Sequence, residues 1–289
     1  MNQFVIFVQI NLSYNMITQE QFDNEVKMII ANAIREDVGD GDHSSLACIP
    51  ENARGKAKLL VKDKGIIGGV NFAKKVFAYV DKRLKLEILI EDGSEVTYGD
   101  IVMYVEGPAQ SILKAERTVL NAMQRMSAIA TKTRILDTRK TTPGIRVLEK
   151  WAVKIGGGEN HRFALYDMIM LKDNHIDFAG GITKAIDMAK EYLKETGKDL
   201  HIMVEARDLV EVEEILKSDG IYRILIDNFD YEDTRKAVKM IGDKCLTESS
   251  GNINETTIRH YAECGVNYIS SGALTHSVHN MDLSLKAVK

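Results

Sequence analysis

Short aliphatic or β-branched runs recur through the second half of the chain, and each run ends in polar residues. They read RILDTRK, MIMLKDNH, HIMVEAR, RILIDNF, CLTESSGN and NYISSGAL. Amphipathic stretches such as GITKAIDMAKEYLKETG and YEDTRKAVKMIG separate several of them. This strand–helix alternation predicts parallel βα units. Six such strands are fewer than the eight of a complete (β/α)₈ barrel, so the pattern predicts an incomplete TIM-like α/β barrel.

The first half of the chain has a different pattern. Residues 53–107 show partial alternation broken by glycine turns, which predicts strands around a short helix at 71–80. Thr18 and Gln21 predict a capping box ahead of a helix that ends near Gly39. A long helix is expected to start at Ser111, and its apolar stripe is expected to be core or interface. The stripe consists of Leu113, Val119, Leu120, Met123, Met126 and Ala130.

We therefore predict an α/β protein with a mixed N-terminal α/β domain at 16–126 and a barrel domain with the active site at 127–289. Residues 1–15 are predicted to be a non-essential extension, since Met16 opens a better-formed segment. The apolar run at 4–10 is too short for a membrane span and lacks the basic start of a signal peptide.

Net charge and cysteine content limit the kinds of molecule that this chain is expected to bind and the compartment in which it is expected to work. The 289 residues carry a formal net charge of −4, which argues against nonspecific binding to nucleic acid. Three widely spaced cysteines indicate neither a disulfide framework nor a zinc motif, so a reducing, cytoplasmic compartment is expected.

Cations are concentrated between Asp137 and His175. They are Arg139, Lys140, Arg146, Lys150, Lys154, His161, Arg162 and Lys172. In a mildly acidic chain, such local focusing predicts a polyanionic ligand. His161 and Arg162 follow a triple-glycine run, and a guanidinium there suits recognition of a carboxylate.

Active sites of α/β barrels lie at the C-terminal ends of the strands. Lys172 at one such end could form a Schiff base or act as a point charge on a phosphate, and its cationic neighbours favour the second. Glu205 and Asp227 end successive strands, where they could hold Mg²⁺, orient sugar hydroxyls or cap a following helix. Two Ser-Gly loops follow the last two strands and predict phosphate binding. They are Ser250-Gly251-Asn252 and Ser271-Gly272-Ala273.

Several motifs together resemble one known family. DTRKTTPG, GGGENHR, LKDNH, ILIDNF, ESSGN and ISSGALTHS, with ERTVLN and EDVGDGDHSS, are similar to quinolinate phosphoribosyltransferase, the carboxylating nicotinate-nucleotide pyrophosphorylase. The resemblance spans residues 18 to 285. It implies transfer of a phosphoribosyl group from 5-phosphoribosyl-1-pyrophosphate to quinolinate with loss of CO₂, which gives nicotinate mononucleotide for NAD synthesis.

The resemblance also implies residue roles. The implied catalytic residues are Lys140, Lys172, Glu205 and Asp227, with Glu205 and Asp227 near Mg²⁺. The implied quinolinate ligands are Arg117, Thr138, Arg139, His161, Arg162 and Lys172. The implied phosphate ligands are Ser250, Gly251, Asn252, Ser271, Gly272, Ala273 and His276. A homodimer is expected, with Arg117 reaching the neighbouring active site, and a higher oligomer stays open.

Other interpretations and departures accompany this resemblance. A related phosphoribosyltransferase of the molybdenum-transport-associated type and a Lys172 Schiff-base aldolase are the alternatives. The segment before Asp137 is shorter than in the family, and Arg207 stands where an acidic residue is usual. Without the resemblance, Arg117 and Arg125 would be expected on a solvated helix face, and Arg146, Lys150 and Lys154 are expected to be helix-surface or rim charges.

Overall fold

The computed structural model describes residues 17–132 and 135–288, so the predicted extension at 1–15 lies outside it. In chain order the helices are α1 (Gln19–Val38), α2 (His43–Cys48), α3 (Val70–Val80), α4 (Ala109–Lys132), α5 (Arg146–Ile155), α6 (Asp173–Ala179), α7 (Ile182–Thr196), α8 (Leu209–Ile215), α9 (Tyr231–Ile241), α10 (Ile258–Glu263) and α11 (Ala273–His276). The strands are β1 (Arg54–Val61), β2 (Gly65–Ile66), β3 (Lys85–Ile88), β4 (Glu95–Val96), β5 (Ile101–Pro108), β6 (Ile169–Leu171), β7 (Ile202–Ala206), β8 (Arg223–Asp227), β9 (Leu246–Ser250), β10 (Tyr268–Ile269) and β11 (Leu283–Ala287).

These elements form two compact units. The antiparallel-sheet unit comprises the described residues of 17–160 together with 272–288, and the parallel-sheet unit comprises 161–271. Residues 127–160, which the sequence assigned to the barrel domain, thus share a compact unit with 17–126.

The antiparallel-sheet unit is built on the strand order β11-β1-β5-β3, with β2 and β4 as a separate pair. Ala57, Leu59 and Val61 alternate along β1 and are buried, as a strand with one covered face requires. The helices α3 and α4 pack against each other in this unit. The predicted short helix at 71–80 is confirmed as α3, and the capping box of Thr18 and Gln21 at the start of α1 is confirmed.

Helix α4 differs from its prediction in two details. It begins at Ala109, and the hydroxyl of Ser111 donates to Asp81 Oδ2 at 2.7 Å instead of capping the helix. The other members of the predicted apolar stripe are buried, but Leu113 is 43% exposed. That position lies at the edge of the stripe, where a helix begins to face solvent.

The parallel-sheet unit confirms the predicted βα alternation. Its sheet has the order β10-β9-β8-β7-β6, with parallel pairing throughout. Val204, Ile224 and Ile226 point to the helix side and join a core with residues of α7 and α9. Met203 and Leu225 alternate to the opposite face and pack with Met168.

The first predicted strand, RILDTRK, is wrong as a strand. Arg134 lies outside the described residues, and from Ile135 onward only Leu136 forms an isolated parallel bridge, with Glu159. The next residue, Asp137, is fully buried and accepts from Lys150 Nζ at 2.5 Å and Asn160 Nδ2 at 2.6 Å. These side-chain bonds hold the segment in place of a strand ladder.

Lys150 was expected on a helix surface, and that prediction is wrong. Its side chain is 3% exposed and pairs with Asp137. A buried ammonium requires such a partner, because an unpaired charge in the interior would be strongly destabilising.

Among the helices of the described residues, none combines the length and apolarity needed to cross a bilayer.

Candidate active site

The face of the parallel sheet opposite the helices carries the predicted strand-end residues. Strand register places Glu205 beside Leu225 and Leu225 beside Glu248, in one row across β7, β8 and β9. Asp227 and Ser250 pair one level further toward the strand ends. Because side chains alternate along a strand, residues two apart share a face. Arg223, Leu225 and Asp227 therefore project from the same side of β8.

Lys172 and Glu205 lie together at adjacent strand ends. Lys172 follows β6 directly, and its Nζ is 3.2 Å from Glu205 Oε2. The Lys172 side chain is 45% exposed, whereas Glu205 is nearly buried. The backbone N–H of Asp173 also faces Glu205, with its nitrogen 3.4 Å from Oε1. The half-exposed Lys172 side chain is thus accessible to a ligand at the strand ends, where it can act as a point charge on an anion.

The loop after β9 is the first predicted phosphate loop. Gly251 has φ +93°, and a Cβ there would lie against the Asn228 side chain and 2.8 Å from its backbone nitrogen, so only glycine fits. Asn228 and Asn252 also have positive φ, at 58° and 49°. Asparagine adopts this left-handed conformation more readily than most other residues. Asn252 Nδ2 donates to Asn228 Oδ1 at 3.3 Å, and the backbone N–H of Asn228 donates to the carbonyl of Ser250 at 2.9 Å, which ties this loop to the end of β8.

Ser271 ends the parallel-sheet unit, and its hydroxyl donates to the carbonyl of Ile253 at 2.9 Å. Gly272 opens the second part of the antiparallel-sheet unit. A Cβ at Gly272 would come within 2.7 Å of Lys140 Cδ and 3.0 Å of His276 Cδ2. The loop thus brings Lys140 and His276 together at a glycine that leaves them room.

Both backbone polar groups of Lys140 are hydrogen-bonded. Its backbone N–H donates to Thr138 Oγ1 at 2.9 Å, and its carbonyl accepts from the Thr275 hydroxyl at 2.7 Å. Arg139 and Lys140 are exposed, so both cations of this loop are accessible to a ligand.

Arg125 was expected on a solvated face, and that expectation is wrong. Its Nε donates to Glu149 Oε1 at 3.0 Å, and its Nη2 donates to the carbonyl of Thr275. Glu149 is fully buried and also accepts from the backbone N–H of Thr142 at 2.9 Å. The chain Thr142–Glu149–Arg125–Thr275 therefore braces the loop that carries Lys140.

Arg117 is exposed on α4, at a cavity of about 310 Å³ between α1, α4 and α5. Arg125 and Glu149 lie on one wall, and Glu36 and Asp37 lie on another. The cavity belongs entirely to the antiparallel-sheet unit.

Arg223 and Glu248 are among the buried charged residues that were not predicted from the sequence. Arg223 Nη1 is 2.5 Å from Glu248 Oε2, and His161 Nε2 is 3.4 Å from the same oxygen. Burial opposes ionisation of Glu248, but the neighbouring His161 and Arg223 lower its pKa to about 2. The motif ESSGN could have placed Glu248 on the site face of the sheet, because Glu248 stands two residues before Ser250 and residues two apart in a strand share a face.

The predicted residues therefore fall into two groups. The parallel-sheet unit contains His161, Arg162, Lys172, Glu205, Asp227, Ser250, Gly251, Asn252 and Ser271. The antiparallel-sheet unit contains Arg117, Thr138, Arg139, Lys140, Gly272, Ala273 and His276.

Arg207 makes surface ion pairs with Glu211 at 2.6 Å and Asp177 at 3.2 Å, and the Glu211 carboxylate raises the pKa of its guanidinium.

Few side chains of the described residues are placed to act together as metal ligands. Within the described part of the chain, no group of three or more His, Cys, Asp or Glu side chains could hold a metal ion. Glu205 is already engaged by Lys172, and Asp227 by Asn228. Such a set fits Mg²⁺ only where substrate phosphates and water supply most of the ligands, which is the usual mode of Mg²⁺ binding.

Comparison with known proteins covers nearly the whole chain. The model of "Quinolinate phosphoribosyl transferase, C-terminal domain" matches residues 115–286, and the corresponding N-terminal domain model matches 42–127. Quinolinate phosphoribosyltransferase [decarboxylating] 1b of Nicotiana tabacum is 44% identical over 91% of this chain and 82% of that protein. The probable nicotinate-nucleotide pyrophosphorylase [carboxylating] of Bacillus subtilis is 38% identical over 90% of this chain and 93% of that protein. The crystal structure of NadC from Streptococcus pyogenes superposes with a TM-score of 0.84 at 35% identity, covering 94% of this chain and 99% of that one.

Proposed function

This chain belongs to the quinolinate phosphoribosyltransferase family, and we propose that it converts quinolinate and 5-phosphoribosyl-1-pyrophosphate to nicotinate mononucleotide, pyrophosphate and CO₂. It is a pentosyltransferase of NAD biosynthesis, with the predicted α/β fold of an N-terminal domain and an incomplete barrel. The structural observation that supports this most directly is the Lys172–Glu205 pair beside Asp227 and the Ser250–Gly251 loop at successive strand ends.

Within the parallel-sheet unit, cations serve the dicarboxylate and carboxylates serve the ribosyl donor. His161 and Arg162 form the carboxylate-binding pair, and Lys172 adds a point charge. Glu205 and Asp227 face the ribose, where carboxylates stabilise the positive charge that develops at C1 as its bond to pyrophosphate breaks. Backbone N–H groups and hydroxyls of 250–252 and Ser271 receive the 5-phosphate.

Within the antiparallel-sheet unit, Lys140 serves the ribosyl donor, and Thr138 and Arg139 serve quinolinate. Gly272, Ala273 and His276 line the second phosphate loop. The exposure of Arg117 on α4 supports its use by a second copy of the chain, in a homodimer that shares its active sites.

The chemistry depends on positioning more than on covalent catalysis. The pyridine nitrogen of quinolinate is a weak nucleophile, so its alignment with C1 contributes much of the rate. Its lone pair forms the N–C1 bond as the C1–O bond to pyrophosphate breaks. The ring then carries a positive charge, and the electron pair of the departing 2-carboxylate stays on C2 until a proton replaces the CO₂.

Mg²⁺ is the proposed cofactor. When bound, it would neutralise charge on the pyrophosphate leaving group. Glu205 and Asp227 are the residues that would hold it, through water and beside the substrate phosphates.

The thiols of Cys48, Cys245 and Cys264 are free, which supports a reducing, cytoplasmic compartment, although relatives include proteins named as chloroplastic and mitochondrial.

The test is direct. Purified chain is mixed with quinolinate, the ribosyl donor and Mg²⁺, and nicotinate mononucleotide and CO₂ are followed together. Equal release of both products is expected, with nicotinate a much poorer acceptor than quinolinate. A folded protein that releases neither product would refute the proposal, and a preference for nicotinate would refute the choice of substrate.

A further inference from the structure

The loop at 137–142 is held at both of its ends by adjacent residues of α5. At the start of the loop, Lys150 Nζ donates to Asp137 Oδ1 at 2.5 Å. At its end, Thr142 donates twice to the Glu149 carboxylate, through its backbone N–H at 2.9 Å and through its hydroxyl at 2.8 Å. Glu149 and Lys150 are consecutive in the chain, and both are buried. These bonds therefore anchor the two ends of the loop to one point of the helix.

Glu149 also connects to the C-terminal segment of the chain, through Arg125. Arg125 Nε donates to Glu149 Oε1 at 3.0 Å, and its Nη2 donates to the carbonyl of Thr275. The Thr275 hydroxyl donates in turn to the carbonyl of Lys140 at 2.7 Å. Because Lys140 stands two residues before Thr142, these bonds and the chain itself close a ring that contains Glu149.

The same ring includes the turn of the second phosphate loop. The backbone N–H groups of Thr275 and His276 both donate to the carbonyl of Gly272, each at 3.1 Å. Gly272 is also the glycine beside which the side chains of Lys140 and His276 lie. A displacement of Thr275 would therefore move this turn and the Lys140 backbone together.

Glu149 is enclosed by its partners, so it can act on a ligand only through them. Its side chain is 0% exposed, whereas that of Arg125 is 21% exposed. A carboxylate buried in this way is strongly destabilising unless donors surround it, so its bonds to Thr142 and Arg125 are difficult to break. Lys140 is exposed, and a fixed backbone reduces the disorder that ligand binding must remove from it.

We propose that Glu149 is a positioning residue for the ribosyl donor. Through Thr142 and Arg125 it holds Lys140 and the turn at 272–276 in one fixed arrangement. This inference rests on the proposed function, in which Lys140 and this turn bind the donor. Quinolinate binding should depend on Glu149 less, because its proposed ligands in this loop lie toward the end that Lys150 holds.

The first test measures the loop directly and needs no turnover. The Arg125→Met/Glu149→Leu variant removes both charges, so no unpaired charge stays buried. Hydrogen exchange at the backbone amide of Lys140 is then followed by NMR, with the amides of β1 reporting global unfolding. The acceptor of the Lys140 amide is Thr138 Oγ1, which this variant does not alter. Exchange at least tenfold faster than in the wild type, with β1 unchanged, is expected.

A matched control removes an exposed ion pair near the same helix. Lys154 Nζ lies 2.6 Å from Glu159 Oε2, and these side chains are 49% and 67% exposed. The Lys154→Met/Glu159→Leu variant should leave Lys140 exchange at the wild-type rate. Equal rates of Lys140 exchange in the two double variants would overturn the proposal.

The second test asks whether the bonds act as one ring. The Arg125→Met/Glu149→Leu variant and the Thr275→Val variant should each lower kcat/KM for the ribosyl donor about tenfold. Their combination should also lose about tenfold, since cutting a ring a second time removes little more. The value of kcat/KM for quinolinate, measured at saturating donor, should change less than threefold in all three chains.

A hundredfold loss in the combined variant would show independent contributions, and equal losses for the two substrates would show a merely structural role; either result overturns the proposal. If the double variant does not fold, Thr142→Val decides the matter, because it removes one bond to Glu149 and leaves the ion pair intact. Faster Lys140 exchange in Thr142→Val, restored in Thr142→Ser, supports the proposal, and unchanged exchange overturns it. If the wild-type chain has no turnover, the proposed function fails, and the exchange rates still show whether Glu149 holds this loop.

Discussion

The hydroxyl of Thr275 donates to the carbonyl oxygen of Lys140 at 2.7 Å, between residues 135 positions apart in the chain. Thr275 is fully buried, and its own carbonyl accepts from Arg125. The C-terminal segment of the chain thus fixes the backbone of the loop that carries Lys140. A loop held this way can place an exposed lysine reproducibly, which is what positioning catalysis requires.

Replacing Thr275 by Val should therefore lower kcat/KM for the ribosyl donor. The change keeps the shape but removes a buried hydrogen bond worth about 1–3 kcal/mol, so a decrease of roughly tenfold is expected. Thr275→Ser retains the hydroxyl and should behave nearly as the wild type. Steady-state kinetics beside thermal unfolding would check this, and a Val variant with lower stability but normal kinetics would argue against it.

Replacing Lys172 by Met should raise the KM for quinolinate. The charged amine contributes about 1.5–3 kcal/mol where it bonds an anion, so an increase of about tenfold or more is expected. Lys184→Met on α7 is the matched control, because that lysine is exposed on a helix and has no proposed role. Quinolinate titrations of both variants give the answer, and equal KM values would remove Lys172 from the site.

Acid should destabilise the wild type more steeply than the Arg223→Met/Glu248→Gln variant. The pKa of Glu248 falls from 4.5 to about 2 on folding, so its stabilising contribution is full above pH 4.5 and is lost as the pH falls toward 2. Urea unfolding at pH 6, 4 and 3 would measure the free energy of unfolding of each chain. All other titrating groups are common to both chains, so parallel curves would show that Glu248 is not the source.

Alanine at Gly251 should be far more damaging than alanine at Gly157. Both positions have positive φ, at 93° and 83°, but a Cβ meets Asn228 only at Gly251. Gly157→Ala should cost about 1–2 kcal/mol of backbone strain. Gly251→Ala should cost more and should also raise the KM for the ribosyl donor. Similar losses of unfolding free energy in the two variants would show that Asn228 yields easily.

Arg117→Ala should lose activity while it stays folded, since this side chain is exposed. Mixed with inactive Arg162→Ala, it should recover part of the activity, because one kind of site in the mixed dimer keeps both arginines. The measurement is turnover after confirmed subunit exchange. Absence of recovery would show that each chain uses its own Arg117.

Local features were predictable because neighbouring residues decide them. The capping box at Thr18 and Gln21 is confirmed because its two bonds lie within four residues. The strands β6 to β10 followed from short apolar runs, and their polar ends placed Lys172, Glu205, Asp227 and Ser250 on the candidate site. The family also follows from the motifs of the sequence, and comparison confirms it.

Tertiary structure decided which charges are buried and what they contact. The amphipathic pattern of α5 could not show that Lys150 is buried, because its partner Asp137 lies in an irregular segment outside that helix. The Arg223–Glu248 pair formed only when parallel pairing put β8 beside β9. The burial of a charge depends on partners distant in the chain, and only the folded chain brings them within hydrogen-bond distance.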